Sequence, residues 1–112
     1  MRCFLALALI LDVASMTGAA NGAGSNTIGA GTASCGTWIE ARRERISVGA
    51  EQWIFGFLSG VGFMGIGDAR RINPLSGVDG KAVLAWIDNY CRAHPADNIT
   101  TAGIAFMVAH PR

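Results

Sequence analysis

Apolar residues recur at helical intervals along most of the chain. Between residues 48 and 63, Ile54, Phe57, Leu58 and Val61 stand at i, i+3, i+4 and i+7, one stripe bordered by Trp53. Between 80 and 93, Val83, Trp86, Ile87, Tyr90 and Cys91 occupy i, i+3, i+4, i+7 and i+8, while Lys81, Asp88, Asn89 and Arg92 fall on other sides. Asp79 supplies an N-cap to this third helix, and His94-Pro95 stops it. A fourth segment, 99–109, carries Ile99, Ala102, Phe106 and Ala109 on one face, with Asp97 or Asn98 as its cap and Pro111 beyond it. A first, more polar helix runs to about Arg45. Thr37-Trp38-Ile39-Glu40 reads as its capping box, with Arg42, Arg43 and Arg45 interleaved with Glu40 and Glu44 on a solvated face. Strand alternation is scarce. The pattern predicts an all-α fold, a small four-helix single domain over 35–112.

The two segments before the first helix have other roles. Residues 3–10 are an unbroken apolar run, preceded by Arg2 and followed by Thr17, Gly18, Ala19 and Ala20. This is the layout of a secretory signal peptide over 1–20, weakened by Asp12, with cleavage after Ala19 or Ala20. The run is too short for a stable membrane span, which takes about 20 apolar residues. The expected location is periplasmic or secreted, in the bacterial envelope. Residues 21–34, rich in Gly, Ala, Ser and Thr, show no periodicity and read as a flexible linker. Removing the leader takes Cys3 with it and leaves Cys35 and Cys91. An even pair in a small exported domain favours a disulfide; two buried free thiols are the other reading.

Composition narrows the function classes. The 112 residues are 51% hydrophobic and 15% charged, with a net charge of +1, which excludes a basic nucleic-acid arm and a polar disordered chain. Gly60-Val61-Gly62-Phe63-Met64-Gly65 fits G-x-G-x-x-G, but a helix precedes it and a loop follows, so the dinucleotide context is missing. Gly56 and Gly60 fit the spacing of membrane helix packing, in an uncharged stretch too short to span. No nucleophile–base set, paired catalytic carboxylates, metal-ligand spacing or cofactor motif is visible, so no enzyme is expected. Asn98-Ile99-Thr100 matches a glycosylation tripeptide by chance beside a helix cap.

The run Trp86-Ile87-Asp88-Asn89-Tyr90-Cys91-Arg92-Ala93-His94-Pro95, with the Ala/Phe helix after it, resembles the second-cysteine region of the HdeA/HdeB family of small periplasmic acid-stress chaperones. Cys35-Gly36-Thr37-Trp38-Ile39 is similar to that family's first-cysteine region, and Trp53–Gly60 falls at its central helix. The resemblance covers about 35–108. It implies a chaperone that binds unfolding protein clients through apolar surface exposed by acid. Trp53, Phe55, Phe57, Leu58 and Phe63 are the candidate client surface. Without Arg2 and Asp12, the nine basic and eight acidic residues become eight and seven. Full protonation of carboxylates and both histidines would then leave about ten positive charges. The helix with its histidine-proline turn is also similar to Tai-type immunity proteins, small exported proteins that neutralise a toxin enzyme. That resemblance implies one folded protein partner, met by the polar 68–76 loop with Arg70 and Arg71. Neither reading involves nucleic acid, and both leave room for a homodimer.

Overall fold

The computed structural model describes residues 26–65 and 72–111; the leader expected over 1–20, the first residues of the expected linker, and Arg70 and Arg71 lie outside them. Four helices form: α1 (Cys35–Glu44), α2 (Val48–Met64), α3 (Gly80–Ala93) and α4 (Ile99–Ala109). Among the described residues there is no β-strand, only an isolated antiparallel bridge between Ser34 and Asn98. The result is a single all-α domain, stapled by a disulfide between Cys35 and Cys91.

The stripes read from the sequence face the core. Ile54 and Leu58 of α2, Val83, Ile87 and Cys91 of α3, and Ile99, Ala102 and Phe106 of α4 are buried together with Cys35 and Trp38 of α1. Other expected members stand aside, among them Phe57 and Val61 of α2, which are half-buried. Trp86 and Tyr90 are half-buried at the edge of the core, and Ala109 is exposed at the end of α4. Gly103 replaces it on the buried face, because a Cβ there would sit 3.0 Å from the Phe57 ring. A bare backbone at Gly103 is what lets α2 and α4 approach.

Both later caps form as expected. Asp79 accepts from the Ala82 amide at 2.8 Å, and Asn98 accepts from the Thr101 amide at 2.8 Å. The first cap needs correction. Ser34, not Thr37, is the N-cap, its Oγ accepting from the Thr37 amide at 3.1 Å. The reason is tertiary. The α3–α4 turn offers two carbonyls, so that Cys35 N donates to Asp97 O at 2.6 Å and Gly36 N to Pro95 O at 3.1 Å. Two otherwise orphaned amides are thus satisfied, and α1 starts earlier than the local pattern suggests. Glu40 lies outside the cap and pairs with Arg43 instead.

The linker expected through residue 34 is corrected as well. Its described part packs as backbone against α2 and α4. Trp53 Nε1 donates to Ile28 O at 3.0 Å, Thr100 Oγ1 to Gly31 O at 2.9 Å, and Ile99 N to Ala33 O at 3.0 Å. Ala30–Thr32 form a 3-10 turn with Gly31 buried. A Cβ on Gly31 would overlap the Trp53 ring and lie 2.7 Å from Thr100 Oγ1. Gly31→Ala is therefore expected to cost about 1–3 kcal/mol by overpacking. Urea unfolding measures this; a change below about 0.5 kcal/mol, usual for surface substitutions, would mean that the segment does not pack in this way.

Candidate functional site

The uncharged length of α2 produces the most unusual surface. No charged residue occurs between Glu51 and Gly65. Only one side of so apolar a helix can face the core, and Ile54 and Leu58 take it. The opposite side keeps its remaining apolar side chains next to glycines. Gly56 and Gly60, one turn apart, have nothing within 4 Å of where a Cβ would be. With Phe57, Val61, Met64, Gly65 and Ile72 they line an open groove of about 680 Å3. Beyond its rim Phe63 is 76% exposed, and Met64 within it is 85% exposed. The last turns of α2 do not fray. Gly65 lets the 72–73 segment close on them, since a Cβ there would lie 2.9 Å from Ile72 O. Asn73 N in turn donates to Pro111 O at 3.1 Å. The G-x-G-x-x-G match lies on this helix end, not in a strand–turn–helix unit.

The aromatic residues singled out on α2 do not form one surface. Leu58 is fully buried and belongs to the core, so the native fold offers it to no client. Trp53 stacks on Phe57 with centroids 5.2 Å apart, and its indole N–H is taken by Ile28 O. Phe55 turns the other way and packs over Gly80 of α3, where a Cβ would lie 3.3 Å from its ring. Phe57 lines the groove while packing on Gly103, and Phe63 alone of the five is exposed. The groove members that the sequence reading passed over are Gly56, Gly60, Val61, Met64, Gly65 and Ile72. The signal was present in the absence of charge over 52–65, but it does not say which side is left uncovered.

A polar cluster lies at the junction of α1, α2 and α3. Arg42 Nε and Nη2 fork onto Asp88 at 3.0 Å each, and Nη1 reaches Glu51 Oε1 at 3.0 Å. Trp38 Nε1 donates to Asp88 Oδ1 at 2.8 Å, and Ser47 Oγ donates to Glu51 Oε2 at 3.1 Å. The Arg42 guanidinium lies 5.8 Å from the Trp38 ring centroid. Arg42 was expected on a solvated face; instead it joins three helices, because its partner Asp88 is 46 positions away. The hydrogen bond to Asp88 raises the Arg42 pKa further above its ordinary value. Asp88 itself, expected to point away from the apolar stripe of α3, does so and is held by this cluster. On the far side of α3, Tyr90 OH donates to Asp97 Oδ2 at 2.6 Å, and that bond pushes the phenol pKa up.

Among the described residues, no group of three or more His, Cys, Asp or Glu side chains is placed to hold a metal ion, and no helix is long and apolar enough to cross a membrane. Comparison of the chain with protein-family models, with curated proteins and with solved structures gives no match.

Proposed function

We propose that this is an exported, disulfide-stapled protein of the bacterial envelope, similar to the HdeA/HdeB acid-stress chaperones, that holds apolar segments of unfolding proteins. The observation that carries the reading is the uncharged α2 groove, with Phe63 and Met64 projecting from the same helix end. Unfolded clients differ in sequence but share apolar side chains. A groove without charge or directional polar groups accepts such segments without selecting among them, and Met64 adds an adaptable side chain. The disulfide supports the assigned compartment, since such bonds persist in oxidising surroundings.

Acid supplies a physical trigger for further exposure. Glu40 has its pKa lowered, first by the Arg43 hydrogen bond and then by that of Glu44, so its contribution is present above its unfolded value and lost as pH falls through the lower folded one. Glu44 is pushed up by its hydrogen bond with Glu40, so its contribution has the opposite sign. Both side chains are on the surface, and the two effects oppose each other. The larger lever is net charge, which rises from near neutral at pH 7 to strongly positive in acid. Repulsion among about ten positive charges adds to the loss.

Between pH 7 and 2, with the disulfide intact, near-UV circular dichroism is expected to fall and a hydrophobic dye to bind. Over the same range the protein is expected to suppress aggregation of an acid-unfolded client, more strongly at pH 2–3 than at pH 7. A native tertiary signal, no dye binding and no suppression at pH 2 would refute the chaperone reading. Stable binding of a single folded partner at neutral pH would favour the Tai-type alternative instead.

A further inference from the structure

A second concavity shares no residue with the α2 groove. It has a volume of about 450 Å3 and is lined by Ile39, Arg42 and Arg43 of α1 and by Asp88 and Arg92 of α3. Three guanidinium groups and one carboxylate therefore surround one apolar side chain. The three arginines differ in how they are held. Arg42 is fixed by its fork on Asp88 and its bond to Glu51. Of its five N–H groups, one on each terminal nitrogen has no partner among the described residues. Among the described residues Arg43 pairs with Glu40, three residues back on its own helix, and the two side chains are 72% and 52% exposed. Among the described residues Arg92 bonds to the neutral Asn89, likewise one turn back, at 2.9 Å. Such local surface contacts are weak and exchange readily with an incoming anion.

The geometry points to this pocket as a docking site for an acidic peptide segment of a protein partner, with one side-chain carboxylate received between Arg43 and Arg92 above the fixed Arg42. A guanidinium matches a carboxylate through parallel N–H···O bonds, and Ile39 offers an apolar surface to the methylene groups of a glutamate. Asp88 in the lining and Glu40 beside Arg43 argue against a dense anionic surface. A single carboxylate can meet the guanidinium groups while avoiding them, and a membrane covered in phosphate cannot. The site shares no residue with the α2 groove and is available at neutral pH.

The test uses the disulfide-bonded protein at pH 7 and low salt, titrated with hexaglutamate and followed by amide NMR shifts. Expected are shifts confined to the Ile39–Arg43 and Asp88–Arg92 stretches, absent with hexaglutamine and reduced by salt. Arg43→Gln and Arg92→Gln, both surface changes that leave the melting temperature in place, are each expected to weaken binding about tenfold, whereas Arg45→Gln leaves it unchanged. Hexaglutamate binding that is absent, that spreads over the other basic residues, or that is unaffected by the two substitutions overturns the proposal. Tighter binding of inorganic phosphate or of phosphatidylglycerol vesicles than of the peptide overturns the assignment to an acidic segment.

Discussion

Trp38→Ala is expected to destabilise the fold by about 3–5 kcal/mol, the range for removing a buried aromatic side chain. Trp38 is fully buried, although its helix is the most polar of the four. Its indole N–H also anchors Asp88, which in turn orients Arg42. The substitution therefore opens a cavity and removes one of the donors that hold a half-buried carboxylate. Trp38→Phe keeps most of the ring and loses that donor, for a smaller cost of about 1–3 kcal/mol. Trp86, read from the sequence as core, lies at the core's edge. It stacks on Tyr90 at 5.6 Å and meets Phe106 edge-on at 5.4 Å. Trp86→Ala loses these contacts and part of its burial, about 1–2 kcal/mol. Chemical unfolding of the three variants checks the order. A Trp86→Ala protein less stable than Trp38→Ala would reverse the assignment of which tryptophan the core is built around.

Replacing both cysteines by alanine is expected to cost about 4 kcal/mol in the chain-entropy account. The bond joins residues separated by 56 positions and so removes a large share of the unfolded chain's freedom. Its place in the fold adds to this. Cys35 begins α1, Cys91 lies near the end of α3, and both are fully buried. The same junction carries the Cys35–Asp97 and Gly36–Pro95 backbone bonds and the Ser34–Asn98 bridge. Releasing it frees the start of α1 and the packed segment before it together. At about 4–8 °C per kcal/mol for a domain of this size, the melting temperature should fall by on the order of 20 °C. Reducing the native protein should have the same effect. Two freely alkylatable thiols in protein recovered without reductant would contradict the bond and count against the proposed compartment.

Helices were legible where an apolar stripe and a cap agreed. Asp79 with Val83, Ile87 and Cys91 gives α3 its observed limits, and Ile54 with Leu58 marks the buried side of α2. The segment before α1 was not legible, because Gly, Ala, Ser and Thr carry no periodicity. What orders it is the fit of Gly31 against Trp53 and Thr100, which are distant in sequence. The same distance hid the partnership of Arg42 with Asp88, since local charge spacing reports only neighbours one turn away. At the candidate site the sequence gives the apolar, glycine-rich character of α2. It does not show that α4 covers Phe57 through Gly103 while Gly56 and Gly60 stay open.

Whether the α2 groove holds apolar client segments is decided by one comparison: aggregation suppression by the wild type and by Met64→Lys. Met64 lines the groove and is 85% exposed, so a charge there disturbs binding without disturbing the core. The variant is expected to keep its melting temperature at neutral pH and to lose most of the suppression at pH 2–3. Full suppression by Met64→Lys under those conditions would contradict client binding in the groove.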